Sequence, residues 1–232
     1  MTSTTPANIK TRFLIVSDTH GLDSLPDPVS SQYVDVAIHC GDLTAESNID
    51  EYQASIRLLQ AVNAPLKLVI AGNHDFTLDI PVYGCYGDAR RMLEDAAGIT
   101  FLDEGTYSFR LQNGAFLKVY ASPYTPTLGE WGFQYHPDRG HDFSIHNVDV
   151  AMTHGPPKGV MDYTYAVIDK LSTLNTVKSF SATSHCFGDK NQLQPGSQTL
   201  FVNASIEGAG EFPTQPPWLV ELELPSASDQ EN

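Results

Sequence analysis

Cysteine is scarce in this chain: Cys40, Cys85 and Cys186 make three among 232 residues. An odd count with no CxxC spacing cannot build a paired framework, so a disulfide-stapled scaffold is excluded and reduced thiols in an intracellular protein are expected. Basic residues are few as well. Lys and Arg total 13 against 28 Asp and Glu, a formal net charge of −15. Arg90-Arg91 is the only adjacent basic pair, and such a surface repels nucleic acid and anionic membranes unless a basic patch or bound cations intervene. Bulk nucleic-acid binding and membrane association are therefore not expected. The acidic excess reads as a solvated surface, part of which bound divalent cations would neutralise. Long apolar runs are missing too. Residues 1–10 lack the apolar core of a secretory signal, and the first run, residues 13–16, is far too short to span a bilayer. The expectation is a soluble, cytoplasmic protein.

What is present suits one well-buried domain. The chain is 41% hydrophobic and 18% charged, with no internal repeat, low-complexity tract or long linker. The domain is expected over residues 11–224, after a flexible N-terminus (1–10) and before a disordered tail rich in Ser, Asp and Glu (225–232). Residues 12–16 (RFLIV), 34–39 (VDVAIH) and 66–70 (LKLVI) read as short buried strands. Between them, residues 47–62 read as a helix, because Ile49, Tyr52, Ile56 and Leu59 recur at the spacing of one helical face. A second helix is expected at 88–97, stopped by Gly98. Asn113-Gly114 between two apolar-rich runs signals a hairpin of strands 106–111 and 115–121. Residues 148–152, 200–202 and 218–224 complete the strands. Early βα alternation followed by hairpins implies mixed sheets with helices outside.

The polar residues gather at strand ends. RFLIVS runs into Asp18-Thr19-His20, VDVAIHC into Gly41-Asp42, LKLVIA into Gly72-Asn73-His74-Asp75, and VDVAMT into His154-Gly155. Loops beyond the carboxyl ends of strands converge in open α/β sheets, so each strand delivers a carboxylate, imidazole or amide to one rim. These groups suit Mn, Fe or Zn. Asp18 and His20 can grip one ion, and a carboxylate such as Asp42 can bridge two. A lone DxH or GD occurs by chance or as a turn or cap, but an ordered set of such motifs does not.

With those residues in place, the chain resembles the calcineurin-like metallophosphoesterase superfamily, and within it the small branch of metallophosphoesterase-domain phosphodiesterases. The shared pattern is DTH at 18–20, HCGDLT at 39–44, AGNHD at 71–75, THGPPKGVMD at 153–162 and LFVNASI at 200–206. The resemblance implies an αββα four-layer sandwich, two mixed sheets flanked by helices, around one or two divalent metal ions. It implies that Asp18 and His20 hold a first metal, Asp42 bridges, Asn73 and His154 hold a second, and His74 is the general acid or phosphate-contacting histidine. The implied activity is hydrolysis of a small-molecule phosphate ester, as a phosphodiesterase, by metal-activated water.

One stretch departs from the family. Where relatives carry Gly-His-x-His, this chain has HCFGDKN at 185–191, which places Asp189 and Asn191 at the two histidine positions. A register shifted onto His185 recovers one imidazole but breaks the Phe-Gly match. A coordinating Asp189 would cancel surplus positive charge in a centre already carrying Asp18 and Asp42, weakening its pull on phosphate. Asn191 is a poorer zinc ligand than imidazole. The expectation is a centre that keeps one ion well and the other loosely. Two alternatives stay open, a weakly active or inactive binding homologue that retains the fold, and a biosynthetic enzyme reusing the metal rim.

Overall fold

Alternation within single strands dictates the layering. In the first strand Phe13 and Ile15 join one apolar cluster while Leu14 and Val16 join another, so the strand is covered on both faces. The structure, a computed structural model, describes residues 8–25, 29, 31–80, 87–127, 129–156, 179–181, 200–206 and 215–230.

In chain order the elements are β1 (Asn8–Val16), β2 (Val36–His39), helix α1 (Ile49–Ala61), β3 (Leu66–Val69), helix α2 (Gly87–Glu94), β4 (Thr100–Phe101), β5 (Gly105–Arg110) and β6 (Phe116–Ser122). They continue with β7 (Thr125–Pro126), β8 (Gln134–Tyr135), β9 (Val150–Thr153), β10 (Ser179–Ser181), β11 (Val202–Asn203) and β12 (Trp218–Pro225). One five-stranded sheet runs β12-β1-β2-β3-β4 and a second runs β11-β10-β9-β6-β5. In each, a parallel core carries one antiparallel edge strand: β12 on β1, and β5 on β6. Phe13, Ile38 and Leu68 from the first sheet meet Leu117, Val119, Val150 and Met152 from the second in one buried layer. Behind the first sheet, Leu14, Ala37 and Val69 pack against Tyr52, Leu58 and Leu59 of α1 and Leu93 of α2. This is the mixed α/β sandwich that the resemblance implies. The connections leaving β9 and β10 lie outside the described residues.

Three expectations need correction. Helix α1 begins after Asn48, whose side chain accepts from Glu51 N (3.1 Å) while Glu51 reaches back to Asn48 N (3.3 Å), a capping box. Its buried face is Tyr52, Ser55, Leu58 and Leu59, whereas Ile49 is exposed and Ile56 half-buried. Ser55 takes the inward position because its hydroxyl donates to Leu43 O at 2.6 Å, which satisfies a buried polar group. At the N-terminus, residues 8–10 are not loose but open β1, opposite Glu223 to Pro225 of β12. Nor is the start of the C-terminal tail: Ser226 bridges to Ala115, Ala227 N donates to Gly114 O (2.9 Å), and Ala227–Gln230 forms a 3-10 turn. Polar composition hid pairing that the hairpin tip supplies.

Candidate metal centre

The carboxyl ends of β1, β2, β3 and β9 all deliver side chains to one rim. Two loops there run side by side: Asp18 N donates to Gly41 O (3.0 Å), His20 N to Asp42 O (3.1 Å) and Gly21 N to Leu43 O (2.7 Å). The pairing holds Asp18, His20 and Asp42 at φ of 55°, 44° and 53°, a left-handed conformation that costs non-glycine residues of the order of 1 kcal/mol each. Gly41 turns with φ 100°, and a Cβ there would lie 2.6 Å from Ala71 O and 2.7 Å from His154 Nδ1. Only glycine fits that approach.

The side chains converge as the residue types suggest. Asp18, His20 and Asp42 each offer a donor atom, all within 4.8 Å of one another. Asp42 faces two ways: Oδ2 lies 3.9 Å from His20 Nε2, and Oδ1 lies 3.3 Å from His154 Nε2. His154 Nε2 is also 2.9 Å from Asn73 Oδ1. Three histidines share one orienting device. Backbone carbonyls accept from each Nδ1–H: Thr44 O for His20 (2.9 Å), Ala45 O for His74 (2.7 Å) and Cys40 O for His154 (2.9 Å). A carbonyl can only accept, so each Nδ1 carries a proton. At His20 and His74 this leaves Nε2 for other work, while His154, charged between Asp42 and Asp18, carries a second proton on Nε2 that a cation held there would displace. Metal-ligating histidines are commonly oriented this way.

The electrostatics call for positive charge. Asp18 is buried and its Oδ2 has no hydrogen-bond partner among the described residues. Burial first, then the neighbouring Asp42 charge, push its carboxyl up to about 6. For Asp42, burial raises the pKa, but the His154 charge, the His154 hydrogen bond and the His74 amide (His74 N to Asp42 Oδ1, 2.8 Å) outweigh it and hold it near 2. Burial alone would lower His154, yet Asp42 and Asp18 draw its ring up to about 10. An orphaned carboxylate oxygen beside a second buried carboxylate and oriented imidazoles fits a divalent cation. Asp18, His20 and Asp42 could hold one ion, and Asp42, Asn73 and His154 another. Asp189 and Asn191 lie outside the described residues.

Sequence reasoning gave no role to residues that frame this rim. Asp75, fully buried, binds two loops together: its carboxylate accepts from Gly72 N (2.8 Å), Leu43 N (3.1 Å), Thr44 N (3.0 Å) and Thr44 Oγ1 (2.8 Å). His39 accepts from Gly41 N at Nδ1 (3.3 Å), so its Nε2–H donates to Thr19 Oγ1 (2.9 Å), and burial pushes its pKa down to about 3, keeping it neutral. They sit inside the HCGDLT and AGNHD motifs, where a charged or titratable residue flanking a strand-end candidate was the available signal. Trp131, stacked on His74, had none.

Paired sheets with a carboxylate–imidazole rim at their carboxyl ends define the metallophosphoesterase class. The calcineurin-like phosphoesterase family model matches residues 11–190, and this chain belongs to that family. Human metallophosphoesterase domain-containing protein 1 is 30% identical over 242 aligned positions, covering 94% of this chain and 73% of that protein. A UPF0046 protein of Caenorhabditis elegans is 28% identical, covering 85% of this chain and 75% of its own length. A probable rhamnogalacturonate lyase C of Emericella nidulans is 36% identical over 65% of this chain but only 14% of that protein. Among the described residues, no helix is long and apolar enough to cross a membrane.

Proposed function

We propose that this protein is a metal-dependent phosphodiesterase that hydrolyses a small phosphate ester with metal-activated water. The observation that carries the reading is Asp42, whose two carboxylate oxygens face His20 on one side and His154 on the other. Divalent ions, Mn, Fe or Zn, held at this rim would supply Lewis acidity toward a phosphoryl group and activation of water. The chain's own residues do the rest. Asp18 and Asp42 fix the cation charge from a buried position, and the carbonyls of Thr44 and Cys40 hold His20 and His154 in register. His74, with Nδ1–H committed to Ala45 O, presents Nε2 as the atom that carries a proton or hydrogen bond to the leaving oxygen. Asp189 at a family histidine position supports one firmly held ion and a second held loosely.

Hydrolysis of bis-aryl and mono-aryl phosphates with Mn tests the proposal. Wild type is expected to turn over the diester, and Asp42→Asn to lose that turnover. Equal inactivity of the two would reject it. Asp189→His combined with Asn191→His is expected to raise the rate. A second reading, a binding protein with little turnover, is favoured by Asp189 and Asn191 standing at the two family histidine positions. Unchanged inactivity after that restoration, with metal bound, would select it.

A further inference from the structure

Among the described residues the His74 ring is held on three sides, by one hydrogen bond and two ring contacts. Ala45 O takes its Nδ1–H at 2.7 Å, the His20 ring meets it edge-on at 4.9 Å, and the Trp131 indole stacks on its face at 4.1 Å with 29° between planes. One hydrogen bond at Nδ1 leaves a ring free to pivot about that atom. A flat surface stacked on the ring removes the pivot, and aromatic contacts of this kind contribute about 0.5–1.5 kcal/mol beyond area burial.

Trp131 is itself fixed to the turn that carries His74. Its neighbour Gly132 donates its N–H to Asn73 O (3.0 Å), and Phe133 N donates to Asp79 Oδ2 (2.8 Å). The Gly132 backbone lies so close to the 73–76 turn that a Cβ would fall 2.7 Å from Phe76 Cα. The Phe76 ring braces the indole from 6.4 Å. Loop and turn thus form one packed unit, which keeps the Trp131 backbone beside His74 and leaves the half-buried indole close enough to stack on its ring.

We propose that Trp131 is a positioning residue: its indole face sets the plane of His74, so that Nε2 points at the leaving oxygen. The inference rests on reading His74 as the proton carrier of phosphoester hydrolysis. Misplacing a reacting group by about an ångström costs up to roughly a hundredfold in rate. Trp131→Ala is therefore expected to lower kcat by roughly tenfold to a hundredfold, with KM changed less than about threefold. Trp131→Phe, which keeps a flat face, is expected to recover most of the rate. Trp131→Leu keeps apolar bulk without a flat face, should behave like the alanine variant, and carries the test if that variant does not fold.

Histidine side-chain NMR of the full-length protein supplies a reading independent of turnover. In wild type the His74 Nδ1–H is expected to resist exchange and the ring protons to lie upfield under the indole. Trp131→Leu should lose both features and Trp131→Phe should keep them. An Nδ1–H equally protected in the leucine variant would overturn the proposal, as would a rise in KM alone, which makes Trp131 a substrate wall. If wild type hydrolyses no phosphate ester, the proposed function falls, while the ring signals still decide whether Trp131 holds His74.

Discussion

Asp18→Asn should have opposite effects on stability with and without metal. The carboxyl is buried, its Oδ2 has no partner among the described residues, and burial with the Asp42 charge pushes its pKa from 3.8 to about 6. That difference corresponds to about 3 kcal/mol of folding stability lost once the group ionises. Below pH 3.8 the carboxyl is neutral in both states and the cost is absent; it grows as pH rises through about 6. Asparagine removes the charge but leaves a buried amide poorly partnered, which costs about 1 kcal/mol or more in return. In chelator at neutral pH the variant is therefore expected to be more stable than wild type by about 1–2 kcal/mol, and the advantage should vanish toward pH 4. In Mn the order should reverse. An ion present at a hundred times its dissociation constant stabilises wild type by about 2.7 kcal/mol, and a variant lacking the ligand gains less. Urea unfolding followed by circular dichroism, with EDTA or with Mn, reads all of this. A variant less stable than wild type in both conditions would refute the reasoning, because Asp18 would then be a structural acceptor and not a carboxylate held for a cation.

Asp75→Ala removes a carboxylate that accepts from Gly72, Leu43 and Thr44, and should cost about 3–5 kcal/mol in urea unfolding; a loss under about 1 kcal/mol would mean the loops hold themselves. Leu68→Ala, in the layer between the sheets, should cost about 2–5 kcal/mol by the same measurement. The Cys40 thiol is fully buried, and burial pushes its pKa far above the ordinary value. Iodoacetamide at mildly alkaline pH should leave Cys40 unmodified in the native protein and label it after unfolding, as read by peptide mass spectrometry; native labelling at the unfolded rate would contradict the burial.

How much was legible in the sequence depended on how local the signal was. Strand β1 and the hairpin β5–β6 announce themselves through contiguous apolar runs and an Asn-Gly turn, and the structure has them there. The convergence of the rim side chains was legible because Asp18, Asp42, Asn73 and His154 each lie just beyond a buried strand, and parallel strands bring their carboxyl ends together. Short elements were not. Strands β4, β7 and β8 have two residues each, too few for a period to show. Ser55 on the buried face of α1 breaks the apolar pattern because a carbonyl from another loop satisfies it. Trp131 meets His74 across loops far apart in sequence, through backbone hydrogen bonds that any residue type can make. Nothing in a linear pattern records such a contact.

Asp42 faces His20 and His154 at once, and everything proposed for the rim depends on that carboxylate holding cations. Chelator-stripped protein titrated with Mn by calorimetry, wild type beside Asp42→Asn, measures this. Wild type is expected to bind saturably, one firm ion followed by a weaker second, and the variant to lose both. No binding to wild type, or uptake that Asp42→Asn leaves unchanged, would contradict it.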